Sequence, residues 1–315
     1  MKKSSIGFIA VFAGLLLVAV SCTKDRYIFP EGQENITEAD ETGLIPIVFN
    51  QPTFDIENEA TQTKVDAVTS VTAFKASCVS GTFGTAETAV WTNVSFSGTT
   101  SSATGGKYWP FTGDYPSGGY KFYATNYSTI AFTSTGATVS PTTNNQDIVV
   151  AYNNAPTYCT KTALNFNHIY ARLTDVTVAA ATGYTLSGIT ISITPKIGGT
   201  YNIYAGRASS DATGWSGLVN GSATGIANAT AGTKYNDIYL VPGTYTITAG
   251  WTATTANGDW TRTYSGVTQT VSLLKGHTNK LSITLGGNAS LIEFSTTVTP
   301  WDIDDPALTP SFSAS

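Results

Sequence analysis

Apolar and polar residues take turns along most of this chain. Ile189, Ile191 and Ile193 alternate with Thr190, Ser192 and Thr194; Tyr245, Ile247, Ala249 and Trp251 alternate with Thr244, Thr246, Thr248 and Gly250; Leu281, Ile283 and Leu285 close the series. A period of two puts one row on each face of an extended chain, so these stretches predict half-buried strands. Earlier, Thr72, Phe74, Ala76 and Cys78 share one side of a strand over Val71 to Val79. Tyr120, Phe122 and Ala124 alternate with Lys121, Tyr123 and Thr125, so one row can face a core while the other faces solvent or a second sheet. Ile45-Pro46-Ile47-Val48-Phe49 stands by itself as a short strand whose proline belongs at an edge or at the strand's start. Near the end, Ala289 to Trp301 reads as another strand, with Leu291, Glu293, Ser295 and Thr297 on one side and Ile292, Phe294, Thr296 and Val298 on the other. In the second half Gly198-Gly199, Gly206, Gly221, Gly243, Gly258 and Gly266 are expected to supply turns, and no window of a dozen residues there keeps an apolar face at helical spacing without β-branched or glycine breaks. The predicted class is all-β, as two sandwiches.

Composition agrees with that pattern. Hydrophobic residues are 41% of the 315 and charged residues only 12%, a balance for many short strands rather than for disorder. The length suits two domains of about 100 to 200 residues each. A net charge of −5, with no cluster of Lys or Arg after the first three residues, removes the basic footprint that phosphate backbones require, so nucleic acid is excluded as a partner.

The N-terminus changes the picture. Lys2 and Lys3 precede an apolar run, Ile6 to Val20, that is too short to span a bilayer and the right length for a signal-peptide core, giving a leader over residues 1–21. Val18-Ala19-Val20-Ser21-Cys22 resembles a bacterial lipobox, which implies lipidation of Cys22 and anchoring in outer-membrane lipid. Residues 22–43 then form an acidic tether. From Tyr27 to Thr63 there is no Lys or Arg, while Glu31, Glu34, Glu38, Asp40 and Glu41 crowd the segment, and Lys64 is the next basic residue.

Catalysis needs a nucleophile, an acid–base pair or a metal within mutual reach. His168 and His277 alone could titrate near neutrality, and each sits at a strand end, where bonding to backbone is the simpler role. No Gly-x-Ser-x-Gly or His-Glu-x-x-His pattern occurs, and Asp302-Ile303-Asp304-Asp305 lacks an EF-hand's loop length and terminal glutamate. The expectation is a non-enzyme with no catalytic residues, no cofactor and no metal. Cys78 and Cys159 could form a disulfide, or Cys78 could be a small buried hydrophobe. Trp109 and Trp251 keep strand phase and are expected in cores. Trp215 and Trp260 lie among Gly, Ser, Asn and Asp and are the candidate surface rings for stacking on a glycan.

An ordered set of motifs resembles a family. Tyr108-Trp109-Pro110 followed by Tyr120-Lys121-Phe122-Tyr123-Ala124, then Phe166-Asn167-His168-Ile169-Tyr170-Ala171, Gly243-Thr244-Tyr245 and Gly276-His277-Thr278-Asn279, resembles the fimbrillins of Bacteroidetes, the subunits of type V pili and their Mfa-like relatives. The resemblance implies two tandem transthyretin-like β-sandwich domains, over residues 44–164 and 165–287, followed by a C-terminal strand and tail over 288–315. It also implies a structural subunit or accessory lipoprotein of a cell-surface fimbrium, supporting adhesion and partnered with other subunits and with host or bacterial surface ligands. By the same resemblance Lys64 is the cleavage position that frees the first strand, 44–51. Leu291, Ile292, Phe294, Val298 and Trp301 lie in the strand that a neighbouring subunit would donate. The alternative function is a free-standing surface lipoprotein that binds glycan through Trp215 and Trp260.

Overall fold

The computed structural model describes residues 44–50, 53–54, 71, 73–82, 86–97, 101–103, 106–134, 136–143, 146–207, 212–222, 224–226, 238–287 and 293–300. Among them the only helical element is one short 3-10 turn, Thr112–Asp114, and everything else regular is strand, as the alternation predicts. No described helix is long and apolar enough to cross a membrane.

The strands, numbered in chain order, form four sheets. The largest has eight strands in the order β1 (Val48–Phe49), β5 (Ser101–Ala103), β4 (Ala86–Ser97), β3 (Ala73–Thr82), β6 (Lys121–Thr125), β9 (Val149–Asn153), β10 (Asn165–His168) and β2 (Thr53–Phe54). A second has the order β16 (Ile238–Leu240), β11 (Ala171–Ala180), β19 (His277–Leu285) and β20 (Glu293–Pro300). A third has β15 (Thr224–Gly225), β12 (Tyr184–Ile193), β17 (Gly243–Thr255) and β18 (Thr261–Leu273). The fourth joins β14 (Trp215–Asn220) and β13 (Lys196–Asn202) to β8 (Gly136–Val139) and β7 (Ala131–Thr133).

The second and third sheets share one core. The predicted rows Ile189, Ile191, Ile193; Tyr245, Ile247, Ala249, Trp251; and Leu281, Ile283, Leu285 are all buried in it, and the Thr and Ser rows between them are mostly exposed or half-buried. The buried polar tips are satisfied, since Trp251 Nε1 donates to Gly286 O at 2.9 Å and the Tyr245 hydroxyl donates to Val241 O.

Both faces of β6 are buried. Phe122 and Ala124 enter the core of the eight-stranded sheet, whereas Tyr123 enters another core built with Val79, Val139, Val150, Tyr170, Tyr201 and Val241. This further core draws on residues before and after position 164, as does the sheet in which β8 pairs with β13 (Thr138 opposite Asn202, Val139 opposite Tyr201). The second row of β6 therefore faces a second sheet rather than solvent.

Two of the glycine expectations are corrected. Gly198-Gly199 lies inside β13 at register shifts and Gly266 lies inside β18, so these glycines serve bulges and close contacts instead of turns.

Candidate functional site: the strand that closes the first sheet

In the spatial order of the eight-stranded sheet, β1 and β2 stand at opposite ends, yet in sequence they are two pieces of one stretch, Val48 to Phe54. That stretch closes the sheet on itself. On one margin Ile47 N donates to Lys107 O at 2.7 Å, Trp109 N donates to Ile45 O at 2.9 Å, and Val48 and Phe49 pair antiparallel with Ser102 and Ser101. On the other margin Thr162 N donates to Val48 O and Asn50 N donates to Thr162 O, both at 2.9 Å; farther along, Thr53 and Phe54 pair parallel with Asn165 and Phe166. An extended chain turns successive amides to opposite sides, so a strand bonded along both margins is an interior strand.

The alternate side chains point inward. Ile47 and Phe49 are each 1% exposed and Ile45 is also buried. The Phe49 ring meets Phe96, Phe122 and Phe74 edge-on, with centroids 4.8, 5.2 and 5.7 Å away, the T-shaped geometry that aromatic quadrupoles favour. Around the Ile45 end stand Trp109, Tyr115, Tyr120 and Tyr158, with Trp109 stacked on Tyr120 at 6.0 Å and edge-on to Tyr158 at 5.6 Å. The Tyr158 hydroxyl donates to Pro110 O and the Tyr115 hydroxyl accepts from Tyr120 N. Burial, with smaller contributions from neighbouring Cys78 and Tyr115, pushes the Tyr120 phenol up to about 12; Tyr115 is raised as well, again mainly by burial. Trp109 Nε1 is buried with no hydrogen-bond partner among the described residues.

The sequence pointed to Ile45 to Phe49 and to Trp109. It did not point to Lys107 or Thr162, whose main chains make the two margins. Backbone acceptors carry no side-chain signature, so only the pairing reveals them.

The other candidates are dispersed. Cys22, Lys64, Leu291, Ile292 and Trp301 lie outside the described residues. Phe294 and Val298 lie in β20, paired with Ile283 and Asn279 at the edge of the second sheet. Cys78 is a free thiol buried on the core face of β3, so it is not bridged to Cys159; burial pushes its thiol well up. Trp215 is not an open ring: it packs on Tyr201 and Tyr170 at 5.1 and 5.3 Å, and its Nε1 donates to Ile169 O at 3.3 Å. Trp260, in contrast, is 37% exposed beside the β17–β18 turn, edge-on to Tyr184. His277 Nδ1 bonds Lys275 O at 2.7 Å, a backbone contact, whereas His168 Nδ1 bonds the Asp147 carboxylate at 2.7 Å. Among the described residues no group of three or more His, Cys, Asp or Glu is placed to hold a metal.

No curated protein matches the chain. Among solved structures, a fimbrial protein from Bacteroides vulgatus is similar at 12% identity and a TM-score of 0.48, over 72% of this chain and 92% of that one. A candidate cell adhesion protein from Bacteroides ovatus is similar at 16% identity and a TM-score of 0.47, over 83% and 99%. A fimbrial assembly protein from Parabacteroides distasonis is similar at 10% identity and a TM-score of 0.30, over 72% and 90%. A family profile described as fimbrillin-like matches residues 51–301. With that match spanning most of its length, the chain belongs to the fimbrillin-like family.

Proposed function

We propose that this protein is a structural subunit or accessory lipoprotein of a cell-surface fimbrium, and that it assembles by exchange of the strand occupying the groove between Lys107–Trp109 and Thr162. The observation that carries the reading is the seat of Ile45 to Asn50: hydrogen-bonded on both margins and buried on alternate side chains, yet supplied by the extreme N-terminal strand of the described chain. Removing that strand would expose two rows of unpaired N–H and C=O groups beside empty apolar sockets, the surface that accepts an added strand. Family membership supports a place in a fimbrium. In this reading Cys22 holds the precursor in outer-membrane lipid, cleavage after Lys64 releases the plug, and the segment from Leu291 to Trp301 is donated to a neighbour, supporting adhesion.

Mass spectrometry of surface fimbriae tests it. A mature N-terminus at Val65, with ladders of multimers on unheated gels, is the expected result; an acylated Cys22 peptide in the polymer and no ladder would sink it.

The exposure of Trp260 favours a second reading, a glycan contact at the β17–β18 turn. A glycan-array signal lost on Trp260→Ala would establish it, and an unchanged signal would remove it.

A further inference from the structure

Trp260 shares its face of the strand with a cation. In β18, alternation puts Trp260, Arg262 and Tyr264 in one row: Tyr264 lies opposite Trp251, Arg262 opposite Ala253, and Thr255 N donates to Trp260 O at 3.0 Å. Trp251 and Ala253 belong to the core shared by the second and third sheets, so this row starts on the core face and runs off its end. Tyr264 is buried, whereas Arg262 and Trp260 are exposed. The Thr261 and Thr263 hydroxyls take the other face, bonded to those of Thr254 and Thr252.

The ring is held in place from behind. Trp260 N donates to Thr255 Oγ1 at 3.1 Å, Ala256 N donates to Gly183 O at 2.9 Å, and Tyr184 meets the indole edge-on with centroids 6.2 Å apart. Tyr184 is itself seated on Gly287, where a Cβ would come within 2.5 Å of the phenol ring. Beside this platform the Arg262 guanidinium lies 5.2 Å from the centroid of Tyr264 and carries no ion pair among the described residues. The acid of the turn, Asp259, is engaged by Asn257, whose Nδ2 donates to its carboxylate. In a chain of net charge −5, an exposed ring and an exposed guanidinium without a carboxylate on it stand side by side.

We propose that this end of the sandwich binds a carboxylated sugar, a sialic or uronic acid, with the apolar face of the pyranose on the Trp260 ring and the carboxylate in the Arg262 fork. The inference rests on the glycan reading of Trp260 above and names the class of sugar. Positions two apart on one face of a strand are separated by about 6.8 Å, the reach from a stacked ring to a carboxylate borne on it. Indole supplies a broad apolar surface at small entropic cost. The planar guanidinium matches a carboxylate with two parallel N–H donors, which a neutral sugar cannot use in the same way.

The test offers the full chain to an array of matched pairs, sialylated against asialo and glucuronosyl against glucosyl, and titrates the retained glycans. The acidic member of a pair is expected to bind at least about tenfold more tightly than its neutral partner, and the pair that shows the difference tells sialic from uronic acid. Arg262→Gln should erase that preference and Arg262→Lys, which keeps the charge but not the fork, should erase part of it, with the neutral sugars unmoved by either. Asp259→Asn should leave acidic glycans bound as tightly or more tightly. Equal thermal midpoints for these variants keep folding out of the comparison. If glycans are lost on Trp260→Ala but neutral and acidic members bind alike, or if Asp259→Asn rather than Arg262→Gln weakens binding, the acidic class is overturned and the glycan reading stands. If no glycan is retained, or retention ignores Trp260→Ala, the glycan reading fails and the class with it.

Discussion

Phe49 shows how much one side chain in the closing strand contributes. Its ring meets three other phenylalanines contributed by β3, β4 and β6, each edge-on. Phe49→Ala is expected to cost about 3–5 kcal/mol, read as a lowered urea midpoint at unchanged slope. Val48→Ala, half-buried on the outer face, should cost under about 1 kcal/mol. The phenols make a second residue-level prediction. Burial raises Tyr115, Tyr120, Tyr170 and Tyr245 above the ordinary value near 10, Tyr120 to about 12. The folded chain thus holds protons that the unfolded chain releases, so the phenols' contribution to stability is fully present below about 10 and is lost from there through 12, with the buried Cys78 thiol adding a loss that begins near 9. Denaturant midpoints at stepped alkaline pH check this, and a midpoint that rose across that window would contradict it. The inward rows of β12, β17 and β19 were legible by alternation alone. The partners of Trp215 were not, because a ring flanked by Gly and Ser reads as exposed until Tyr170 and Tyr201 are brought to it from elsewhere in the chain.

At the scale of elements, β13 is where glycine is required inside a strand. A Cβ on Gly198 would lie 2.0 Å from Pro141 O, a backbone atom that cannot rotate away, while Gly199 N donates to that same carbonyl at 2.9 Å. Gly198→Ala is expected to lose more than about 2 kcal/mol by parting β13 from the segment after β8. Gly217 in β14 has φ +54 but open space around it, so Gly217→Ala should cost only about 1–2 kcal/mol of backbone strain. Thermal melts of the two variants, with Gly198→Ala melting lower, check the contrast. The Gly198-Gly199 pair reads as a turn from sequence. Its use in a strand follows from a close approach between segments that are 57 residues apart (198 minus 141), a distance over which local pattern carries no information.

For the whole molecule, the sheet that joins β7 and β8 to β13 and β14, with its core of Tyr123, Tyr170 and Tyr201, ties residues on the two sides of position 164 together. Arg207 adds a clasp: its guanidinium lies 3.9 Å from the centroid of the Tyr204 ring and 5.6 Å from that of Tyr152 on β9. Equilibrium unfolding is therefore expected as one transition, with tryptophan fluorescence and far-ultraviolet circular dichroism superimposing; two resolved steps would show that the halves unfold independently. The sequence by itself determined the class, the inward rows and the odd first strand, since period-two alternation and turn chemistry are local properties of a strand. It could not determine that Ile45 to Phe54 closes a sheet, that Lys107 and Thr162 form its margins, or that a core spans position 164. Those depend on main-chain pairing and packing between distant segments, and only the tertiary structure brings them together.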